Sequence, residues 1–257
     1  MQVLFIICPL VFVGGVLDAI VGSGALITLP AYMIAGLPAH TAYGTGKLAS
    51  FLGSLSASIR YIRNGSYDRK LIPTFAIMNM IGSYAGSNFT LYLSELFFKY
   101  ILIAILPILI VFLVIRGDVL TRMDQVNASP PLTNDKLLLY SIVFGLLLGF
   151  YGGFVGVGVM SFQILVFINV FKTNAINAAG NGKIINCLVN LVAATTFLFS
   201  GNIVFWIAIP AALSSILGNY VGAGLTMSRG SKIMKPLFVL VFVVLFVRLV
   251  AETFFSG

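Results

Sequence analysis

A chain of 257 residues with 60% hydrophobic and only 9% charged residues, at a mean hydropathy of +1.08, carries far too few charges for a soluble domain, where about 25% is usual. Its apolar runs suit helical spans of about 20 residues each, so the chain reads as an all-α polytopic membrane protein; a β-barrel, which alternates apolar and polar residues in short strands, does not fit. The net charge of +8 would suggest nucleic acid in a soluble protein, but here it reads as the basic bias of cytoplasmic loops, to which an anionic substrate adds, and no nucleic-acid partner is expected.

Apolar runs fall at 2–20, 25–37, 48–62, 71–93, 98–115, 137–154, 158–171, 184–199, 203–226 and 235–252. The first lacks the basic lead of a cleaved signal peptide and reads as a retained helix. One long polar stretch, Arg116 to Lys136 with Pro130-Pro131, separates the fifth run from the sixth. It divides the chain into a first transmembrane repeat (1–115), a cytoplasmic linker (116–136) and a second transmembrane repeat (137–257). The halves match at a nearly constant offset. Val21-Gly22-Ser23-Gly24 pairs with Val155-Gly156-Val157-Gly158, Gly46-Lys47 with Gly182-Lys183, Asn64-Gly65 with Ser200-Gly201, and the Gly82/Gly86 spacing with Gly218/Gly222. Transporters are commonly built from such repeats.

The charges orient the halves. Loop 60–70 carries Arg60, Arg63, Arg69 and Lys70 and is predicted inside; its counterpart 199–203 carries none. Loop 93–99 has only Glu95 and Lys99, whereas its counterpart 226–235 has Arg229, Lys232 and Lys235. The bias reverses between equivalent loops, which predicts an inverted repeat with both termini outside. The second arms, 25–37 and 158–171, are short for a full span at about 1.5 Å per residue. Broken or re-entrant helices are therefore predicted at the glycine clusters. Non-helical backbone at membrane depth needs protein or a water-filled cavity around it, which points to a binding cavity at the repeat interface.

Lys47 and Lys183 are the main candidates for chemistry. Each is expected to open a helix whose polar face continues it: Ser50, Ser54 and Ser58 after Lys47, Asn186 and Asn190 after Lys183. A charge inside a span is costly and by default functional, so the two lysines are predicted to share one cavity and bind an oxyanion. The plain alternative is that each snorkels to an interface or pairs with an acid. Gly22, Ser23, Gly24, Gly156 and Gly158 are the backbone candidates for the same site. Asp18, His40 and Asn181 are candidates for coupling or gating. Asp18, whose counterpart is Gly152, pairs with Lys47, binds a coupling proton or caps the break at Gly22; pairing is favoured. For His40 an ordinary hydrogen-bonding role is favoured. Asn174, Asn177 and Asn181 line the mouth of the second site or act as helix glue. Gly82/Gly86 and Gly218/Gly222 read as close-packing faces. Cys8 and Cys187 sit in apolar runs without CxxC or a Cys/His cluster, so neither a metal nor a cofactor is expected.

At these residues the chain resembles the TauE/SafE sulfite exporter family. The likeness rests on Gly15 to Pro30 with Asp18 and Gly22-Ser23-Gly24, on Gly44-Thr45-Gly46-Lys47-Leu48 with the Arg60 to Gly65 ending, and on the second-half copies. It covers nearly the whole chain. The resemblance implies a secondary transporter of small anions, sulfite and organosulfonates being the best-known substrates, with inverted repeats, a homodimer and a place in the prokaryotic plasma membrane. The chain departs from many relatives at Gly152, where an acid like Asp18 is common, and at Val157 and Val159, where glycines are. The competing functions are a passive anion channel, a membrane enzyme, for which no nucleophile or metal cluster is seen, and a non-transporting assembly protein.

Overall fold

The computed structural model describes residues 2–102, 104 and 133–229. The linker up to 132, most of the run 98–115, the run 235–252 and loop residues 230–235 lie outside the described residues. Within them all regular structure is helical: α1 (Gln2–Val21), α2 (Ala25–Ile34), α3 (Ala39–Arg63), α4 (Ile72–Tyr92), α5 (Asn134–Phe154), α6 (Val159–Asn169), α7 (Ala175–Phe199) and α8 (Phe205–Arg229). Helical residues also run from 95 to 102.

Glycine ends the long arm of each half. Gly22 closes α1 at φ +74° and Gly156 closes α5 at φ +72°. This left-handed conformation terminates a helix and is strained for residues with a Cβ. The chain then folds back into α2, of 10 residues, and α6, of 11. Such helices rise only about 15–16 Å, half of a hydrocarbon core of about 30 Å. α1–α2 and α5–α6 are therefore helical hairpins whose second arms are too short to cross, as the predicted broken or re-entrant helices require. α1, α5, α7 and α8 are long and apolar enough to cross a membrane. α3 and α4, at 25 and 21 residues, have the length as well. Their hydropathy is lower because buried polar residues (Lys47, Ser54 and Ser58 in α3; Asn79, Ser83 and Ser87 in α4) face inward. The outward faces, with residues such as Ile77, Ile81, Leu147, Leu213 and Leu217, are exposed and apolar, as a lipid-facing surface requires. The chain is thus a multi-pass protein of the cell membrane.

The halves interlock. α1 packs on α8 of the other half, and α5 on α4 in the same manner. Glycines make both crossings: Gly218 and Gly222 lie against the carbonyls of Phe12 and Val16, and Gly82 and Gly86 against those of Leu146 and Phe150. Backbones come this close only where side chains are absent, and close packing replaces the hydrophobic force that lipid cannot supply. The two predicted packing faces are found here.

α3 and α7 meet at the centre and run antiparallel. Near the start of α3, Thr45 Oγ1 accepts from Val204 N–H at 3.1 Å, just after α7 ends. Beyond the end of α3, Asp68 N–H donates to Asn181 Oδ1 at 2.7 Å, near the start of α7. One sequence expectation is corrected: the lysines do not open helices. α3 begins at Ala39 and α7 at Ala175, two turns earlier in each case. Pro38 precedes α3, and Asn174 caps α7, its side chain accepting from Asn177 N–H.

Candidate functional site

The predicted polar faces of α3 and α7 are zipped against each other. Ser58 Oγ donates to the Lys183 carbonyl at 3.2 Å, Asn190 Nδ2 donates to Ser54 Oγ at 3.4 Å, and Lys47 Nζ donates to Asn190 Oδ1 at 3.1 Å. Because the helices are antiparallel, Lys47 lies opposite Asn190 and Lys183 opposite Ser58. The equivalent lysines therefore stand at the two ends of the seam, 11 residues apart along α3 by this pairing or about 16 Å of helix. Their backbone positions are thus well apart, although Lys183 reaches Asp18, which borders a cavity at Lys47.

A cavity of about 40 Å³ opens at the Lys47 end, between the halves. The first half contributes Asp18, Gly22, Tyr43, Lys47 and Ser50 to its wall, and the second contributes Gly156, Asn186 and Asn190. The left-handed glycines that close α1 and α5, Gly22 and Gly156, both border it, so each turn brings its backbone to the same space. Lys47 is held by neutral groups: Nζ donates to the Gly152 carbonyl at 2.8 Å and sits 5.1 Å from the centre of the Tyr43 ring. The Tyr43 hydroxyl donates to the carbonyls of Gly152 and Gly153 at 3.1 and 2.9 Å. Among the described residues Lys47 has no carboxylate partner; the ion pairs there are Lys183–Asp18 and His40–Glu95.

Lys183 is completely buried and bonds to Asp18 Oδ2. Asp18 thus pairs with the lysine of the other half, not with Lys47, while still bordering the cavity. Ser23 and Ser161, 3.3 Å apart, join the two hairpins behind Gly22, and Ser161 Oγ donates to the Val21 carbonyl at 2.5 Å. Gly24 packs on α1, where an added Cβ would come 2.6 Å from Asp18 Cβ. Gly158, at φ +70°, starts α6. Asn181 lies towards the other end of the seam, accepting from the Asp68 N–H, and Ser54, Ser23, Gly24 and Gly158 stand outside the cavity wall. His40 lies away from it: Nδ1 meets Glu95 Oε2 at 2.6 Å, Nε2 donates to the Thr90 carbonyl at 3.0 Å, and the ring stacks on Phe98. Sequence reasoning missed Tyr43, although it stands one turn before Lys47 on the same helix.

A larger cavity of about 620 Å³ lies between α2, the start of α3 and the helical residues from 95. It is mainly apolar, with Glu95 and Lys99 as its charges, and it shares Ala25 and Leu29 with the smaller cavity. It therefore adjoins the Lys47 site through α2, as a vestibule would. No group of three or more His, Cys, Asp or Glu residues suited to a metal occurs among the described residues.

Broken helical hairpins from both parts of the chain, meeting at a cavity that holds a buried lysine, are an arrangement typical of membrane transporters. The family model described as sulfite exporter TauE/SafE matches residues 7–249, and the chain belongs to this family. Among its relatives, a probable membrane transporter protein of Sinorhizobium is 32% identical over 241 residues, covering 94% of this chain and 90% of the relative. One of Haemophilus influenzae is 31% identical over 89% of this chain and 87% of its own. The probable membrane transporter protein YfcA of Escherichia coli is 28% identical, covering 97% and 93%. No solved structure matches.

Proposed function

We propose that the protein is a secondary transporter, working as an exporter, of small anions such as sulfite or organosulfonates, with Lys47 as the charge that binds them. The carrying observation is an ammonium that borders an inter-half cavity and has only neutral partners among the described residues. An intramembrane cation of this kind attracts an anion and costs free energy without one. The cavity's small size favours a substrate of few heavy atoms. Ser50, Asn186 and the backbone at Gly22 and Gly156 offer the remaining contacts. The antiparallel α3 and α7 and the exchanged packing of α1–α8 and α5–α4 support an inverted repeat of segments 1–115 and 137–257. Rocking of the halves about this seam would alternate access. We further infer a homodimer, with lipid around it. A non-transporting assembly protein would be expected to leave no cavity between its packed polar faces, and the cavity at Lys47 favours transport over that reading. The test is sulfite flux into proteoliposomes. Wild-type protein should carry it and well-folded Lys47→Met should not; equal flux by both would overturn the assignment.

A further inference from the structure

The two lysines occupy equivalent places but have unlike partners. Lys183 Nζ donates to the carboxylate of Asp18, four residues before the left-handed Gly22. Lys47 Nζ donates to the backbone carbonyl of Gly152, four residues before the left-handed Gly156. Asp18 and Gly152 are thus counterparts, and the chain provides an anion for one lysine and none for the other. The open volume lies where that anion is lacking, at Lys47.

We propose that the Lys47 cavity takes one small monoanion, which serves Lys47 as Asp18 serves Lys183, and that it discriminates against dianions of the same shape. This rests on reading the cavity as an anion site. Lys47 and Lys183 bring two positive charges and Asp18 one negative charge, leaving a single positive charge. The other charged or titratable Asp, Glu, His, Lys and Arg side chains of the five helices around the cavity stand near helix ends: His40, Arg60 and Arg63 in α3, Asp135 and Lys136 in α5. At each re-entrant turn a helix C-terminus meets a helix N-terminus, so their partial charges largely offset. A monoanion closes the count at zero. A dianion leaves an uncompensated negative charge at membrane depth and must shed a stronger hydration shell to reach it. The substrate class is therefore bisulfite, a small sulfonate or a small carboxylate, rather than the sulfite dianion or sulfate.

The test uses purified full-length protein in detergent and two tetrahedral probes of similar size, methanesulfonate and sulfate. Wild-type protein should bind methanesulfonate at least about tenfold more tightly. Sulfate binding as tightly or more tightly would overturn the charge count while leaving the anion site standing. Binding of neither probe would overturn both, and loss of binding in Lys47→Met reports on the site itself. A second variant supplies the missing carboxylate. Gly152→Asp combined with Val189→Ala, which relieves the 2.9 Å approach of an added Cβ to Val189 Cγ1, should lose methanesulfonate binding. A folded variant that binds it normally would also overturn the proposal, and if the variant does not fold, the wild-type comparison decides alone.

Discussion

Lys183 and Asp18 form an ion pair that bridges the two halves, with the lysine side chain fully buried and the aspartate side chain 14% exposed. The lysine is not easily hydrated where it stands, and the carboxylate meets water only through the small cavity it borders. Removing one partner strands the other, which typically costs about 3–5 kcal/mol, whereas replacing both by apolar groups is often neutral. Asp18→Asn and Lys183→Met should each lower the thermal unfolding midpoint, and Asp18→Leu with Lys183→Met should recover much of the loss. Single variants as stable as wild type would show that the pair does not hold the halves together.

Gly156 joins fold and site in one residue. An added Cβ would stand 2.5 Å from Lys47 Nζ, and the residue is held at φ +72°. Gly156→Ala is therefore expected to cost about 1–2 kcal/mol in backbone strain and to push the ammonium off its present contacts. Both unfolding midpoint and anion affinity should fall. At Gly22 an added Cβ would meet Met160 instead, so Gly22→Ala should reduce stability more than affinity. Thermal melts and titrations of the two variants side by side separate these outcomes.

Much of this arrangement is legible in the chain. The packing glycines, the glycine breaks and the polar faces of α3 and α7 all follow from spacing, because each is a local pattern. The partners are not. Whether Asp18 meets Lys47 or Lys183 depends on how the halves interlock, and nothing near Asp18 in sequence records that α1 packs on α8 of the other half. The separation of the two lysines has the same origin: pairing α3 and α7 antiparallel puts equivalent residues at opposite ends of the seam, however alike their local sequences are. The helices start earlier than the polar pattern suggests for a local reason. The polar residues from His40 to Lys47 look like a loop, but buried neighbours satisfy them within helix α3.

The orientation inferred from loop charges has a direct check. Antiparallel α3 and α7 put loop 64–70 and residues 200–204 at opposite ends, so their accessibilities should be opposite. Ser66 is buried, whereas Lys70 and Ser200 are exposed, so the latter two are the better reporters. In a background without Cys8 and Cys187, Ser200→Cys should react with an impermeant thiol reagent added to whole cells, and Lys70→Cys only after permeabilisation. The reverse pattern would place the basic loop outside and contradict the charge rule.

The two lysines should also separate by experiment, although their sequence settings are nearly the same. Lys47→Met keeps much of the stem, removes the cation that borders the cavity, leaves the Gly152 carbonyl still accepting from Tyr43, and frees Asn190 Oδ1, which the adjoining cavity allows water to reach. Its stability should change little, while anion affinity falls at least about tenfold, or roughly 1.4 kcal/mol. Lys183→Met instead leaves the Asp18 carboxylate beside the same cavity with no cation of its own. That carboxylate then competes with the substrate for Lys47, so this variant should lose both stability and affinity. Adding Asp18→Asn to Lys183→Met removes the competitor and should restore anion binding, although neither altered side chain is a cation. Titration of the four proteins against one sulfonate, with melts in parallel, decides the matter: if the double variant binds no better than Lys183→Met, then Lys183 contributes to the site by direct contact and not through Asp18.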